Sequence, residues 1–395
     1  MTRKEITVMI LLAAVVFTNI LESMILMPLA STIKAELGMD EKKWGIAISS
    51  YLFAAFISGI IAIKWIDRFD RKKFLISQYA LFIVGTYLCS IADSYEFLVF
   101  ARICAGFFGG VSSALVLSIT GDLIAPQHRG KATGIVMTGF STAAAVGIPL
   151  GILLGLKFSW HAPFLFIIFL SLIVLVFLFL AIPSMTTHIL ATPKSFVQIF
   201  KNILSQKNQL LALLFSCLIL FGQFAIIPYL ADFVVHNVGF RKEQLVWMYG
   251  IGGALTFVTG PIIGYISDKF GQKKTFLVVM LLSCIPILFI TQMGTSPIIL
   301  VLIVTTSFFV FAGGRNIPGT AIVIATASPQ ERGGLMSVRS ALQQLFSGIA
   351  VMLASTIVVQ DEVTKVYYNF EYIGYLAVAT SILSYFILIK IKPKA

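Results

Sequence analysis

The chain has 395 residues, 58% of them hydrophobic and 12% charged, with a mean hydropathy of +0.96. A soluble domain carries about 25% charged residues, so this composition points away from a soluble enzyme and towards a polytopic membrane protein. A net charge of +12 would suggest nucleic acid in a soluble chain. Here the basic residues follow the loops between apolar runs, so no nucleic-acid partner is expected.

A membrane span needs roughly 20 apolar residues to cross about 30 Å of hydrocarbon. Twelve stretches qualify: 6–31, 44–66, 74–92, 97–124, 132–156, 162–182, 210–236, 244–266, 275–293, 297–326, 335–358 and 370–390. All must be helices, because lipid offers no partner to an unpaired backbone group. The first stretch is long and has no small-residue cleavage site, so it reads as a retained span.

The order of landmarks repeats about 200 residues apart. The loop Lys64–Lys73 (KWIDRFDRKK) returns as SDKFGQKK at Ser267–Lys274, so that Asp67 corresponds to Asp268. Pro28 corresponds to Pro228, and the string Pro126–Gly130 corresponds to Pro329–Gly333. This is a parallel internal repeat, which predicts two like-oriented bundles with a cavity between them at mid-depth. The expected division is a six-helix bundle over 1–182, a linker over 183–209 and a second six-helix bundle over 210–395. Within the linker Phe196, Ile199, Phe200, Ile203 and Leu204 keep helical spacing, which predicts a short amphipathic helix in the membrane interface.

With both termini placed inside, nineteen of the 29 lysines and arginines fall in inside segments and seven in outside ones. That bias predicts cytoplasmic termini. Lys34, Lys42 and Lys43 count among the outside residues.

Several spans carry polar or small residues with a purpose. Span 1 holds Glu22, the only acid deep within any predicted span, with Asn19 on the same helix face. A low dielectric penalises the charged carboxylate, so such a group can exchange a proton near neutral pH. A structural hydrogen-bonding Glu is the other reading. Span 4 holds Arg102 in RICAGFFGG; a central arginine costs about 2.5–3.5 kcal/mol on insertion scales and must face a partner or water, or else snorkel outward. In span 5 Gly139, Ala143, Gly147, Gly151 and Gly155 fall every fourth residue, a stripe that lets another helix approach closely. Pro149 adds a bend. The second half offers Gln223 in span 7, Arg315 and Asn316 in span 10, and Arg339 and Gln343 in span 11. Arg315 could neutralise an anionic or polar substrate group, while Arg339 could pair with Asp67 or snorkel. Cys89, Cys104, Cys217 and Cys284 are scattered in apolar segments and the four histidines do not cluster, so no metal site and no disulfide is expected.

These motifs resemble those of the major facilitator superfamily. The 2–3 loop is similar to the family signature G-x-x-x-D-R-x-G-R-K, with Ile63 at the first glycine and Asp70 at the second. Its second copy is closer, with Gly264 and Gly271. The resemblance implies a conformational latch made of Asp67, Arg71 and Asp122, echoed by Asp268. The span-4 segment is similar to a motif associated with proton coupling, which implies that role for Arg102 beside Glu22. The span-5 stripe, with Gly139, Gly147, Pro149, Gly151 and Gly155, resembles the antiporter motif G-x-x-x-G-P-x-x-G-G. Its proline sits one place late, and Ile152 replaces the last glycine. Taken together the chain resembles the twelve-span drug:proton and sugar (arabinose) efflux branch.

The resemblance implies a proton-coupled antiporter exporting a small organic molecule by alternating access. Asn19, Gln223, Arg315, Asn316 and Gln343 would line its cavity. The proton gradient would supply the energy, and no cofactor is expected. The partners would be the substrate, protons and the bilayer, with a monomer in a bacterial inner membrane. Two other readings stay open: a symporter or uniporter for an organic anion, with Arg315 as the clamp, and a non-transporting scaffold on the same fold. An enzyme is not expected, because no nucleophile–base pair, metal set or phosphate loop occurs.

Overall fold

A computed structural model of the protein describes residues 1–65, 68–186, 203, 205–328 and 331–392. Among these residues are twelve helices long and apolar enough to cross a membrane. Span 1 covers Arg3–Glu36, span 2 Glu41–Ala62, span 3 Arg71–Ser90, span 4 Tyr95–Leu123, span 5 Arg129–Lys157 and span 6 Ala162–Ala181. Spans 7 to 12 cover Lys207–His236, Lys242–Phe270, Gln272–Thr291, Ile298–Ile324, Arg332–Ile357 and Phe370–Lys390. The expected linker helix lies almost wholly outside the described residues, as does Asp67.

The two halves make the same pairings. Span 1 packs on span 5 as span 7 packs on span 11, span 2 on span 4 as span 8 on span 10, and span 3 on span 6 as span 9 on span 12. The bundles meet where span 2 lies along span 11 and span 5 along span 8. A Cβ on Gly253 would overlap the Ala144 backbone at 2.6 Å, and one on Gly348 would meet the Phe53 ring at 2.6 Å. Glycine at these points sets how closely the bundles approach.

Local chemistry starts, stops and breaks the helices. Thr2 and Glu5 form a capping box at the start of span 1. Asp70 caps span 3, accepting from the Lys72 N–H at 2.9 Å. Gly271, at φ +95°, turns the chain between spans 8 and 9. Span 1 is longer than the sequence predicts and is broken: an α-helix over Arg3–Met24, a 3-10 turn over Met27–Leu29 and a second helix over Ala30–Glu36. Pro28 lacks the N–H that would continue the ladder. Lys34 therefore belongs to span 1 and is buried, which corrects its assignment to an outer loop. Span 5 contains a π-helical segment at Ala143–Gly147, just before Pro149. Span 10 divides at Arg315 into Ile298–Gly314 and Asn316–Ile324. A two-stranded hairpin that the sequence does not predict, β1 (Val359–Gln360) with β2 (Tyr367–Tyr368), joins spans 11 and 12.

The apolar cores are distributed unevenly. At the face that carries the termini, each bundle has its own core: Val8, Leu75, Leu115 and Leu178 in the first, and Leu213, Phe276, Val323 and Leu388 in the second. At the opposite face one core is common to both, running from Ile25, Trp44 and Trp160 to Tyr229, Phe233 and Phe370. The bundles are thus fused by apolar burial at the far face and separately packed at the terminal face.

Candidate functional site

Glu22 lies on the last helical turn before the break in span 1 and is fully buried. Arg102 of span 4, also fully buried, reaches it across the first bundle. Its Nη1 donates to Glu22 Oε1 at 2.8 Å and to the Glu22 carbonyl at 3.1 Å, and its Nη2 donates to the Ser23 carbonyl at 3.3 Å. Those carbonyls stand where the helical ladder stops, so the guanidinium both pairs with the acid and caps the break. The Tyr51 ring of span 2 lies 4.4 Å from the guanidinium carbon, a cation–π contact. Cys89 of span 3 places its thiol 3.9 Å from Glu22 Oε1. The site is closely packed, since a Cβ on Gly106 would overlap the Tyr51 backbone. Glu22 Oε2 and Asn19 Oδ1 are buried without a hydrogen-bond partner among the described residues. The sequence picks out Glu22, Asn19 and Arg102; Tyr51 and Cys89 carry no motif and become visible only through packing.

The span-5 glycines face span 1. A Cβ on Gly139 would meet the Ala13 carbonyl, on Gly147 the Phe17 ring at 3.2 Å, on Gly151 the Ile25 side chain and on Gly155 the Leu29 side chain at 2.7 Å. Pro149 turns the other way, towards Gly250 of span 8. Span 5 therefore carries the broken first span on one face and the second bundle on the other.

The remaining candidates separate into groups. Gln223 Oε1 accepts from Asn316 Nδ2 at 3.4 Å, and Gln343 Nε2 donates to the Ser216 carbonyl at 3.3 Å. All are in the second bundle and partly buried. Arg315 is fully buried, donating to Ser381 Oγ at 2.5 Å, to Ser283 Oγ at 3.5 Å and to the Ile219 carbonyl at 3.2 Å. Its partners are on spans 7, 9 and 12, so as placed it ties the second bundle together from inside. Arg339 donates to Thr320 Oγ1 at 2.9 Å.

Of the latch residues, Arg71 pairs with Asp122 and donates to the Ser118 carbonyl at 3.0 Å, bridging spans 3 and 4. Asp268 is exposed at the end of span 8, without an ion-pair partner among the described residues. Asp70 plays a separate part. It accepts from Ser184 Oγ at 2.5 Å and from the Met185 N–H at 3.1 Å, holding the extended segment that leaves span 6. Partial burial opposes ionisation of Asp70, but these hydrogen bonds outweigh it and hold the carboxyl below its usual range. A cleft of about 540 Å³ opens beside this loop, lined by Ile61, Asp70, Lys73, Phe74 and Phe107 of the first bundle.

A second buried polar cluster lies at the far face. Lys34 Nζ stands 2.5 Å from Glu41 Oε1, 2.6 Å from Asp232 Oδ2, 2.5 Å from the Tyr367 hydroxyl and 3.0 Å from Gln360 Oε1. The Tyr367 hydroxyl donates to Asp232 Oδ2 at 2.6 Å, with Glu41 Oε1 at 3.2 Å. Burial, with the charges of Asp232 and Glu41, pushes the Tyr367 phenol well above its usual range, so it stays protonated. His236 Nε2 is 3.2 Å from Asp232 Oδ1. Glu22 is thus not the only buried acid in a span: Asp232 and Glu41 are buried as well. Sequence reasoning passes over them because each lies near a helix end. The signal it held was a lysine on the helical continuation after Pro28, with Glu41 only a few residues on.

Comparison with known proteins agrees with this architecture. The chain is 27% identical over 357 residues to the MFS-type transporter YceJ of Bacillus subtilis (strain 168), covering 86% of this chain and 85% of that one. It is 23% identical over 262 residues to a probable sugar efflux transporter of Mannheimia succiniciproducens, covering 65% of each. The crystal structure of a point mutant of the nucleoside transporter NupG superposes with a TM-score of 0.77 at 14% identity, over 98% of this chain and 99% of that one. The Major Facilitator Superfamily profile matches residues 12–256 and 212–395. With twelve spans in two like-paired bundles and this match over nearly its whole length, the chain is a multi-pass membrane transporter of the Major Facilitator Superfamily.

Proposed function

We propose that this carrier is a proton-coupled antiporter that exports a small organic molecule by alternating access. The observation that carries the proposal is the Glu22–Arg102 pair, buried in the first bundle with one carboxylate oxygen unpaired. A buried acid held by a single arginine can change protonation only with a change in that pairing, which links proton uptake to conformation. The span-5 glycine seam on span 1 supports the export direction, because it builds the resemblance to the antiporter motif into the helix that packs on the bearer of Glu22. The amides of Gln223, Asn316 and Gln343 suit a hydroxyl-rich ligand, and the likeness to a probable sugar efflux transporter makes sugars the first class to test. The bias of Lys and Arg towards the terminal face favours cytoplasmic termini in a bacterial inner membrane. A monomer suffices for this mechanism, with the proton gradient as its energy source.

The test uses the purified protein in liposomes loaded with a pH-sensitive dye. A gradient of each sugar, nucleoside or hydrophobic cation in a panel is imposed and proton movement recorded. Protons moving opposite to one substrate, and no longer moving in Glu22→Gln, are the expected result. Full coupling retained in Glu22→Gln would refute the assignment.

A further inference from the structure

Between described residues, every polar bond that crosses from one bundle to the other lies at the far face. Four converge on the buried cluster: Lys34 to Asp232, Lys34 to Tyr367, Lys34 to Gln360, and Tyr367 with Glu41. Two more flank it: Trp44 Nε1 donates to the Pro228 carbonyl at 3.2 Å, and Lys242 Nζ to Thr32 Oγ1 at 3.2 Å. Lys34 and Glu41 come from the first bundle, and Asp232, His236, Gln360 and Tyr367 from the second. The shared apolar core surrounds them.

We propose that Lys34, Glu41, Asp232 and Tyr367 form the gate that shuts the far face, and that its division along the bundle boundary opens the carrier to that side. The cluster is built to divide. If the bundles part, Lys34 keeps Glu41, which lies on its own bundle at 2.5 Å. Asp232 keeps the Tyr367 hydroxyl at 2.6 Å and His236 at 3.2 Å. No charge is left without a partner on its own side, so the gate avoids the penalty of stranding a buried ion. It still carries selectivity, because one ammonium bridges two carboxylates only while the bundles touch. The proposal rests on alternating access and not on which ion drives it.

The experiment measures distances in the full chain in lipid nanodiscs, without gradient or substrate. Spin labels on non-canonical residues are placed at Asp93 and Gln292 for the far face and at Lys131 and Lys274 for the terminal face; all four positions are exposed. Lys34→Gln and Asp232→Asn should each raise the far-open population about fivefold or more, the lower end of a typical coupling between sites. The double variant should go no further than the larger single effect. Tyr367→Phe keeps the packing and removes only the hydroxyl, and it should shift the same distribution in the same direction. It also serves if a charge variant fails to fold. Unchanged far-face distances in Tyr367→Phe and in every charge variant that folds would overturn the gate. Because no proton gradient is applied, failure of Glu22 as the coupling acid would leave this result untouched.

Discussion

Arg102→Met removes a guanidinium that makes three hydrogen bonds, two buried at 2.8 and 3.1 Å and one partly buried at 3.3 Å, and covers the Tyr51 ring. It leaves the Glu22 carboxylate buried with no cation, and breaking such a pair costs about 3–5 kcal/mol. Glu22→Gln is milder, because Arg102 keeps two carbonyls and a ring. The double variant leaves no stranded charge, yet both carbonyls at the break still lose their donor, about 1.5–3 kcal/mol for hydrogen bonds to a charged group. Its loss should therefore fall well short of the two single losses combined, with a coupling of at least about 1.5 kcal/mol. Reversible unfolding in mixed micelles, read by circular dichroism for all four proteins of the cycle, supplies the numbers. Additivity to within about 0.5 kcal/mol would mean that the two side chains act independently, and the pairing argument would fail.

Gly106→Ala should cost about 1–3 kcal/mol by overpacking, because its Cβ has only Tyr51 backbone to displace, whereas Gly134→Ala, with open space around it, should be neutral or gain up to about 1 kcal/mol in helix propensity; the same unfolding assay compares them. Arg315→Gln should lower stability by about 1.5–3 kcal/mol while leaving KM for transport unchanged, and a raised KM at equal fold would favour the anion-clamp reading instead. Asp70→Ala should cost about 1 kcal/mol as a lost helix cap and should loosen the segment at Ser184–Met185, read by limited proteolysis. Since the fold lowers the Asp70 pKa, its contribution is complete above the unfolded value near about 4 and is lost as pH falls through the folded value; stability measured from pH 7 to pH 3 should lose this component in the wild type and lack it in Asp70→Ala.

Much of the architecture is written in one dimension. A run of about 20 apolar residues has a single outcome in a bilayer, and the recurrence of Asp67 at Asp268 and Pro28 at Pro228 carries the twofold design. Glu22 and Arg102 stand out for the same reason: charge in an apolar run demands a partner, and the structure makes each the other's partner. The rest depends on approach between distant segments. Lys34 reads as a loop residue until the break at Pro28 turns the chain into a second helix, and its partners Asp232 and Tyr367 come from the other half of the chain. Arg315 looks like a free cation in sequence, and only the meeting of spans 7, 9 and 12 around it reveals its three acceptors. The substitution of Asp70 for a motif glycine likewise gains meaning from Ser184, more than a hundred residues on.

The single apolar core shared at the far face has a thermodynamic consequence of its own. Parting the bundles there would hydrate the facing surfaces of Trp44, Tyr229 and their neighbours, and hydrating apolar surface raises heat capacity. The balance between closed and open forms must then curve with temperature, with apolar closure weakest in the cold. Parting the terminal face divides no shared apolar core and should carry a smaller heat-capacity change. Temperature thus becomes a lever that can distinguish the two openings of one carrier without any ligand.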